Sequence, residues 1–139
     1  MFGLFRKSFT ARIIKMLSGL AIRPKLMKEG RLAIVLSLER SYCIEIEEHG
    51  SFARLTCHPN IGFVPNKCPE KVLAHLLLRN GDAGCGGWRL MVADERVWIV
   101  YSYSIPIQFL TRKSLRAGIE LVLTEANRFS FEYRYFARA

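Results

Sequence analysis

Residues 88–111 read WRLMVADERVWIVYSYSIPIQFLT, and this stretch decides the fold. Apolar and polar side chains alternate on both sides of Asp94-Glu95, a pattern typical of two antiparallel strands joined by a tight turn. The turn predicts three apolar cross-strand pairs: Trp88 with Tyr101, Leu90 with Ile99, and Val92 with Val97. Together with Tyr103 these six residues form one continuous apolar face, which we expect to be core.

The opposite face of the same hairpin has a mixed composition. Its predicted members are Arg89, Met91, Arg96, Trp98 and Val100. Large apolar side chains beside guanidinium groups are typical of protein contact surfaces. We therefore predict a protein-binding site here, for a partner segment or for a second copy of the chain. In the alternative interpretation, the N-terminal helix or the C-terminal tail covers Met91 and Trp98.

The flanking sequence predicts an α+β domain. The segments RLAIVLSL, YCIEIEE and FARLTCH alternate and are separated by short turns, which predicts an antiparallel three-stranded meander. Pro69 begins a helix that is predicted to bury Val72, Leu73, Leu76 and Leu77. Thr111 is predicted to cap a last helix whose core side is Leu115, Ile119, Val122 and Ala126. The aromatic tail from Phe129 to Tyr135 alternates, which favours a final strand or an extended segment. The predicted order is α-βββ-α-ββ-α.

The basic charge is concentrated in the N-terminal arm. The chain has a formal net charge of +9, and its first 31 residues contain eight basic residues against one acidic residue. Helical periodicity gathers the apolar side chains of this arm on one side, namely Phe9, Ile13, Met16, Leu17 and Leu20. Pro24 is expected to end the helix at about Ile22 or Arg23. We expect residues 1–30 to form a basic amphipathic helix and linker, and residues 31–139 to form one domain. The apolar side of the helix is expected to dock on the domain and its basic side to face solvent.

A cationic arm favours anionic partners. The second hypothesis is therefore binding of nucleic acid or of an anionic membrane through Arg12, Lys15 and Arg23. No nucleic-acid-binding motif is visible, and the aromatic residues suited to base stacking lie outside the arm. We rank this hypothesis below protein binding.

No pattern in the sequence indicates catalysis, a metal site or a cofactor. The cysteines Cys43, Cys57, Cys68 and Cys85 form no C-x-x-C pair, and the spacing around His58 matches no zinc module. The glycines of NGDAGCGGW are not followed by the lysine of a phosphate-binding loop, and no histidine is paired with a nucleophile. We expect a non-enzymatic protein with no small-molecule substrate, with reduced thiols and a cytoplasmic location.

The stretch from Pro69 to Phe131 resembles the YbjN-type bacterial sensory-transduction regulators, which belong with the type III secretion chaperone-like superfamily. The matching segments are PEKVLAHLLLRN with its Leu77 and Asn80, the hairpin that leaves through Ile105-Pro106, and Leu110-Thr111 at the start of the last helix. The resemblance implies a small, often dimeric α+β domain with helices packed mainly on one face of an antiparallel sheet. It also implies polypeptide binding, and it supplies no catalytic residues. Secretion chaperones of this fold are typically acidic, whereas the isoelectric point calculated for this chain is about 9.8.

Overall fold

The computed structural model describes residues 2–27, 31–38, 40–82 and 86–138. Its helices are α1 (Phe2–Gly19), α2 (Glu70–Asp82) and α3 (Arg112–Arg138). Its strands are β1 (Lys25–Leu26), β2 (Leu32–Ser37), β3 (Ser41–His49), β4 (Phe52–His58), β5 (Gly62–Phe63), β6 (Gly86–Ala93) and β7 (Arg96–Pro106). Cys85 lies outside the described residues. None of the described helices combines the length and the hydropathy that a membrane-spanning helix requires.

The strands form one antiparallel sheet in the order β1-β2-β3-β4-β7. The short β5 continues after β4 along the same side of β7, and β6 pairs with the other side. The predicted α+β order is confirmed, with β1 and β5 as short additional strands. The predicted linker after α1 is wrong at its start, because Lys25 and Leu26 pair with Ala33 and Leu32.

Helices cover one face of the sheet. This face carries Ile44, Leu55 and Tyr101, and we call it the helix face; the opposite one is the open face. Residues from all three helices join the same core, among them Ile13, Leu17, Val72, Leu76, Leu115, Ile119, Val122, Ala126 and Phe129. The predicted core side of the last helix is therefore confirmed. Its cap is confirmed as well, because Ser114 N donates to Thr111 Oγ1 over 3.1 Å.

The predicted register of the hairpin is confirmed by all three cross-strand pairs. Its turn residues, Asp94 and Glu95, have φ angles of 53° and 60°, which is the type I′ geometry that matches the twist of a hairpin. The predicted burial is wrong for Leu90 and Val92, which are 44% and 75% exposed, although Ile99 is only 1% exposed. The reason is their position, since Ile99 lies inside the sheet and the other two residues lie on the edge strand β6.

Three expectations about the helices are wrong. The aromatic tail is not a strand but the end of α3, and helical spacing brings the rings of Phe129 and Tyr133 to 6.1 Å, while Phe131 is exposed. Leu77 is not buried but 72% exposed. The first helix ends at Gly19, several residues before Pro24, because Ala21 has a positive φ of 59° that no α-helix can continue.

Candidate protein-binding site on the β6–β7 hairpin

The register places the predicted binding residues together on the open face. Arg89 lies opposite Val100, Met91 lies opposite Trp98, and Arg96 pairs with Ala93. Arg89 and Arg96 are exposed, whereas Met91 and Trp98 are partly buried. Val100 has no exposed surface. It therefore cannot contact a partner as predicted, and it supports the face from within the sheet.

Trp98 is held rigidly on this face. Its Nε1 donates to the carbonyl oxygen of Ala93 over 3.1 Å. Its six-membered ring lies over Gly62, where a Cβ atom would approach the ring carbon Cε3 to 2.7 Å. The core residues of α1 and α3 that the structure describes lie on the helix face, opposite to Trp98, so they do not provide the cover that the alternative interpretation required. A fixed, partly exposed indole is well suited to contact a partner because little side-chain entropy is lost on binding.

A layer of charged side chains crosses the middle of the open face. Arg54 Nε donates to Glu47 Oε1 over 3.0 Å, and Arg89 Nε donates to Ser102 Oγ over 3.1 Å. Burial and the charge of Arg54 lower the pKa of Arg89, while Glu47 and Glu45 act in the opposite direction. An arginine remains protonated under such influences. The middle of the face is therefore satisfied internally, and the Trp98 end of the hairpin carries the apolar area.

The open face also contains a cysteine–histidine pair that sequence spacing did not reveal. Cys43 and His58 are cross-strand partners, and His58 Nε2 lies 3.7 Å from Glu45 Oε1. Interaction with His58 is the main influence that lowers the pKa of Glu45, although this distance is long for a hydrogen bond. Burial, and then the charge of Glu45, raise the pKa of the Cys43 thiol. A nucleophilic cysteine requires the opposite shift, so this pair does not indicate thiol catalysis.

The outer edge of β6 is protected at one position by Asn80. The Asn80 amide donates from Nδ2 to the carbonyl oxygen of Trp88 over 2.9 Å and accepts from Trp88 N over 2.6 Å. The side chain thus replaces a neighbouring strand at this residue. Because hydrogen-bonding direction alternates along a strand, the backbone groups of Leu90 and Val92 must also point away from β7. No strand among the described residues pairs with this edge.

One stripe of α2 includes the residue that contacts this edge. Leu73, Leu77 and Asn80 share a helix face at spacings of four and three residues. Asn80 contacts the edge at Trp88, and Leu77, one turn earlier in the helix, has a side chain that is 72% exposed. Leu90 and Val92 contribute exposed apolar side chains from the strand itself. The result is a strip of unpaired backbone groups bordered by apolar surface.

The structure places the predicted anion-binding residues on and just after α1. Arg12 and Lys15 are exposed on consecutive turns of α1, whereas Arg23 lies beyond the end of that helix. Arg12 Nη2 donates to the carbonyl oxygen of Leu110 over 2.6 Å, which ties it to the start of α3. Anion binding by the arm stays a prediction, and a steep loss of affinity with added salt would be its signature.

Among the described residues, no group of three or more His, Cys, Asp or Glu side chains is arranged to hold a metal ion. Burial raises the pKa of the Cys57 thiol to about 12, with a further contribution from Cys43. Cys57 is thus a core residue rather than a ligand or a nucleophile.

The element order and the helices on one face of an antiparallel sheet define a small α+β domain. Solved structures of this fold match nearly the whole chain. A chain in the structure of the HopA1–SchA chaperone–effector complex gives a TM-score of 0.66 at 12% identity, covering 91% of this chain and 96% of that chain. YbjN from E. coli, whose assignment as a transcription regulator is provisional, gives 0.69 at 11% identity, covering 92% of each chain.

No protein-family model matches the chain, and a search of curated proteins finds no match in sequence. The structural matches confirm the fold that the sequence resemblance implied. At these identities they establish the fold alone.

Proposed function

We propose that the domain is a non-enzymatic polypeptide-binding module that accepts an extended segment as an additional strand on the free edge of β6. The observation that supports this proposal is the outward-facing backbone of Leu90 and Val92, whose apolar side chains are themselves exposed. Strand addition gives affinity through backbone hydrogen bonds and specificity through alternate side chains. The matched chaperone–effector complex and the matched regulator are consistent with a binding role.

An added strand would contact both faces of the hairpin. One set of its alternate side chains would pack beside Leu90, Val92 and Leu77, and the other set would pack beside Arg89 and Met91 on the open face. Asn80 occupies the edge at Trp88 and therefore limits the length of the added strand. We expect the bound segment to carry apolar residues at every second position, with an acidic residue near Arg89 or Arg96.

The test uses a proline that removes one outward N–H. The Val92→Pro substitution leaves the β6–β7 hydrogen bonds in place, because the N–H of Val92 points away from β7. The matched control is Val92→Thr, which keeps both the N–H and the branched shape. The strand probes are a second copy of the chain, followed by light scattering, and a synthetic seven-residue peptide with apolar residues at every second position and one acidic residue, followed by calorimetry. The first measurement identifies self-association, and the second identifies binding of a separate extended segment.

We expect the parent chain and Val92→Thr to bind at least one probe, and Val92→Pro to bind neither. Substituting Met91 by serine should weaken binding by about 1 kcal/mol if the Trp98 face takes part. Equal association by the proline and threonine variants would reject the β6 edge as the site, and a parent chain that binds neither probe would reject the proposal.

A further inference from the structure

A cavity lies away from the hairpin edge, where the β2–β3 turn, the β4–β5 connection and the last turns of α3 meet. Its volume is about 420 Å³, and its lining includes Arg40, Asn60, Ile61, Tyr133 and Arg134. None of the described residues that line it is acidic. A cavity of this size is in the range that holds small molecules. Its donors belong to three separate elements that the fold brings together.

The walls of the cavity are fixed in place by contacts on both sides. Tyr42 Oη donates to Asn127 Oδ1 over 3.1 Å, which ties β3 to α3. Residues 127, 130 and 134 share one face of α3, so this contact also positions Arg134 near the β2–β3 turn. The ring of Tyr133 meets the rings of Phe63 and Phe129 at centroid distances of 6.2 and 6.1 Å. The phenol group is therefore held in one place rather than free to rotate away.

Two arginines, Arg40 and Arg134, line this cavity, and both are exposed. Neither Arg40 nor Arg134 forms an ion pair within the part of the chain that the structure describes. The neighbouring carboxylate of α3, Glu132, accepts hydrogen bonds from His75 and Arg79 of α2 instead. Two guanidinium groups that line one cavity carry like charges. A bound anion would interact favourably with both of them.

We propose that this cavity binds a phosphate group, as free phosphate or as the monoester of a small organic group. Guanidinium groups bind phosphate oxygens in pairs through parallel hydrogen bonds, and Arg40 and Arg134 supply two such groups. The Tyr133 hydroxyl supplies a third donor. Ser130 Oγ donates to the carbonyl oxygen of Ala126 and so is not a donor to the ligand. Ile61 and the ring of Tyr133 provide apolar contact for an organic substituent.

The test is a titration of the full ¹⁵N-labelled chain with inorganic phosphate and, separately, with phenyl phosphate, at constant ionic strength. We expect saturable shifts of the amide signals of residues 60–62 and 133–134, with no shift of Gly50 in the β3–β4 turn. Tighter binding of phenyl phosphate would identify a monoester as the ligand class, and equal binding would identify free phosphate.

Single substitutions complete the test. Arg40→Gln and Arg134→Gln should each weaken phosphate binding about tenfold, since each removes a charge-assisted donor pair. The matched control is Arg116→Gln, which removes the same charge from an exposed pair with Glu120 elsewhere on α3. The proposal is overturned if the shifts near residues 60–62 do not saturate, or if the Arg116 variant loses as much affinity as the other two. This site is independent of the β6 edge, so Val92→Pro should bind phosphate normally.

Discussion

Two glycines lie directly against a large side chain, so that adding a Cβ atom at either position would produce a close contact. At Gly62 a Cβ atom would lie 2.7 Å from the Trp98 ring, which is held by its hydrogen bond to Ala93. We expect Gly62→Ala to lower the free energy of unfolding by about 2 kcal/mol, as overpacking typically does. At Gly19 a Cβ would lie 2.6 Å from the Arg112 guanidinium, the flexible end of a long side chain.

The control is therefore Gly19→Ala. Arg112 can move aside, and Gly19 does not have the positive φ that would strain alanine, so this variant should be close to neutral. Urea denaturation of both variants measures the difference. Equal destabilisation at the two positions would show that the Trp98 ring is not fixed against Gly62.

At the residue scale, the sequence predicted the sheet face of a side chain more accurately than its burial. Leu90 and Ile99 occupy equivalent positions in the alternating pattern, and the structure places both on the helix face. Only the sheet order distinguishes them, because β6 is an edge strand and β7 is not. Periodicity reports the face of one strand, while burial depends on neighbours that are distant in sequence. The same limit applies to Val100, whose alternation predicted the open face but not its complete burial.

At the scale of elements, the hairpin turn contains avoidable strain. A type I′ turn requires positive φ at both central residues, and Glu95 adopts φ 60° despite its side chain. Replacing Glu95 by glycine should raise the free energy of unfolding by about 0.5–1 kcal/mol, because the left-handed conformation costs glycine nothing. The variant Glu95→Ala keeps the Cβ atom and should show no comparable gain in thermal unfolding. If both variants were more stable than the parent, the destabilisation would come from the charge of Glu95 rather than from its backbone conformation.

The contact between α2 and α3 is predicted to depend on pH. His75 Nε2 lies 2.6 Å from Glu132 Oε2, and Arg79 donates to the other carboxylate oxygen. Burial acts to raise the pKa of Glu132, but the hydrogen bond with His75 and the charge of Arg79 outweigh it, so this pKa lies below its ordinary value. The stabilisation is therefore present above the unfolded-state value of about 4.3 and is lost as pH falls through the folded-state pKa.

Substituting Glu132 by glutamine tests this dependence. The variant should be less stable than the parent by about 1 kcal/mol at neutral pH, and the difference should shrink below about pH 4. Glu120→Gln is the control, because Glu120 is largely exposed and contacts only Arg116 among the described ion pairs. Thermal unfolding between pH 3 and 7 gives both curves, and a difference that does not change with pH would contradict the assigned role of the Glu132 charge.

The end of α3 shows why the aromatic tail was wrongly predicted to be a strand or an extended segment. Aromatic residues at 129, 131, 133 and 135 satisfy the two-residue period of a strand, yet positions 129 and 133 also satisfy the four-residue spacing of a helix. No glycine or proline separates them from the core side that ends at Ala126. The helix can therefore continue without interruption, and it buries Phe129 against Trp88 at a distance of 4.7 Å between ring centroids. The partner Trp88 lies on a distant strand, so local periodicity could not decide between the two structures.

At the scale of the whole molecule, element order was predictable and the free edge was not. Each strand and helix carries its own periodic signal, which is sufficient for the α-βββ-α-ββ-α plan. The edge depends on the contact of Asn80, near the end of α2, with Trp88 in β6. The sequence pattern marked Asn80 only through the family resemblance, and nothing local showed that its amide replaces a strand. The same holds for the phosphate cavity, whose arginines are 94 residues apart in the chain.

The sequence predicts a division of the chain after residue 30, whereas the packing of α1 into the common core leads us to predict that the two parts unfold as one unit. Ile13 and Leu17 have no exposed surface, and Phe9 is only 6% exposed. Burial of each such side chain contributes about 1.5–3 kcal/mol, and three together approach the whole stability of a typical domain, about 5–15 kcal/mol. We therefore expect residues 31–139 alone to lose cooperative thermal unfolding, as followed by circular dichroism. Adding a synthetic peptide of residues 1–27 should restore the transition, whereas the same peptide with Ile13→Asp and Leu17→Asp should not. A cooperative transition of residues 31–139 without the peptide would show instead that α1 is an appendage to an independent domain.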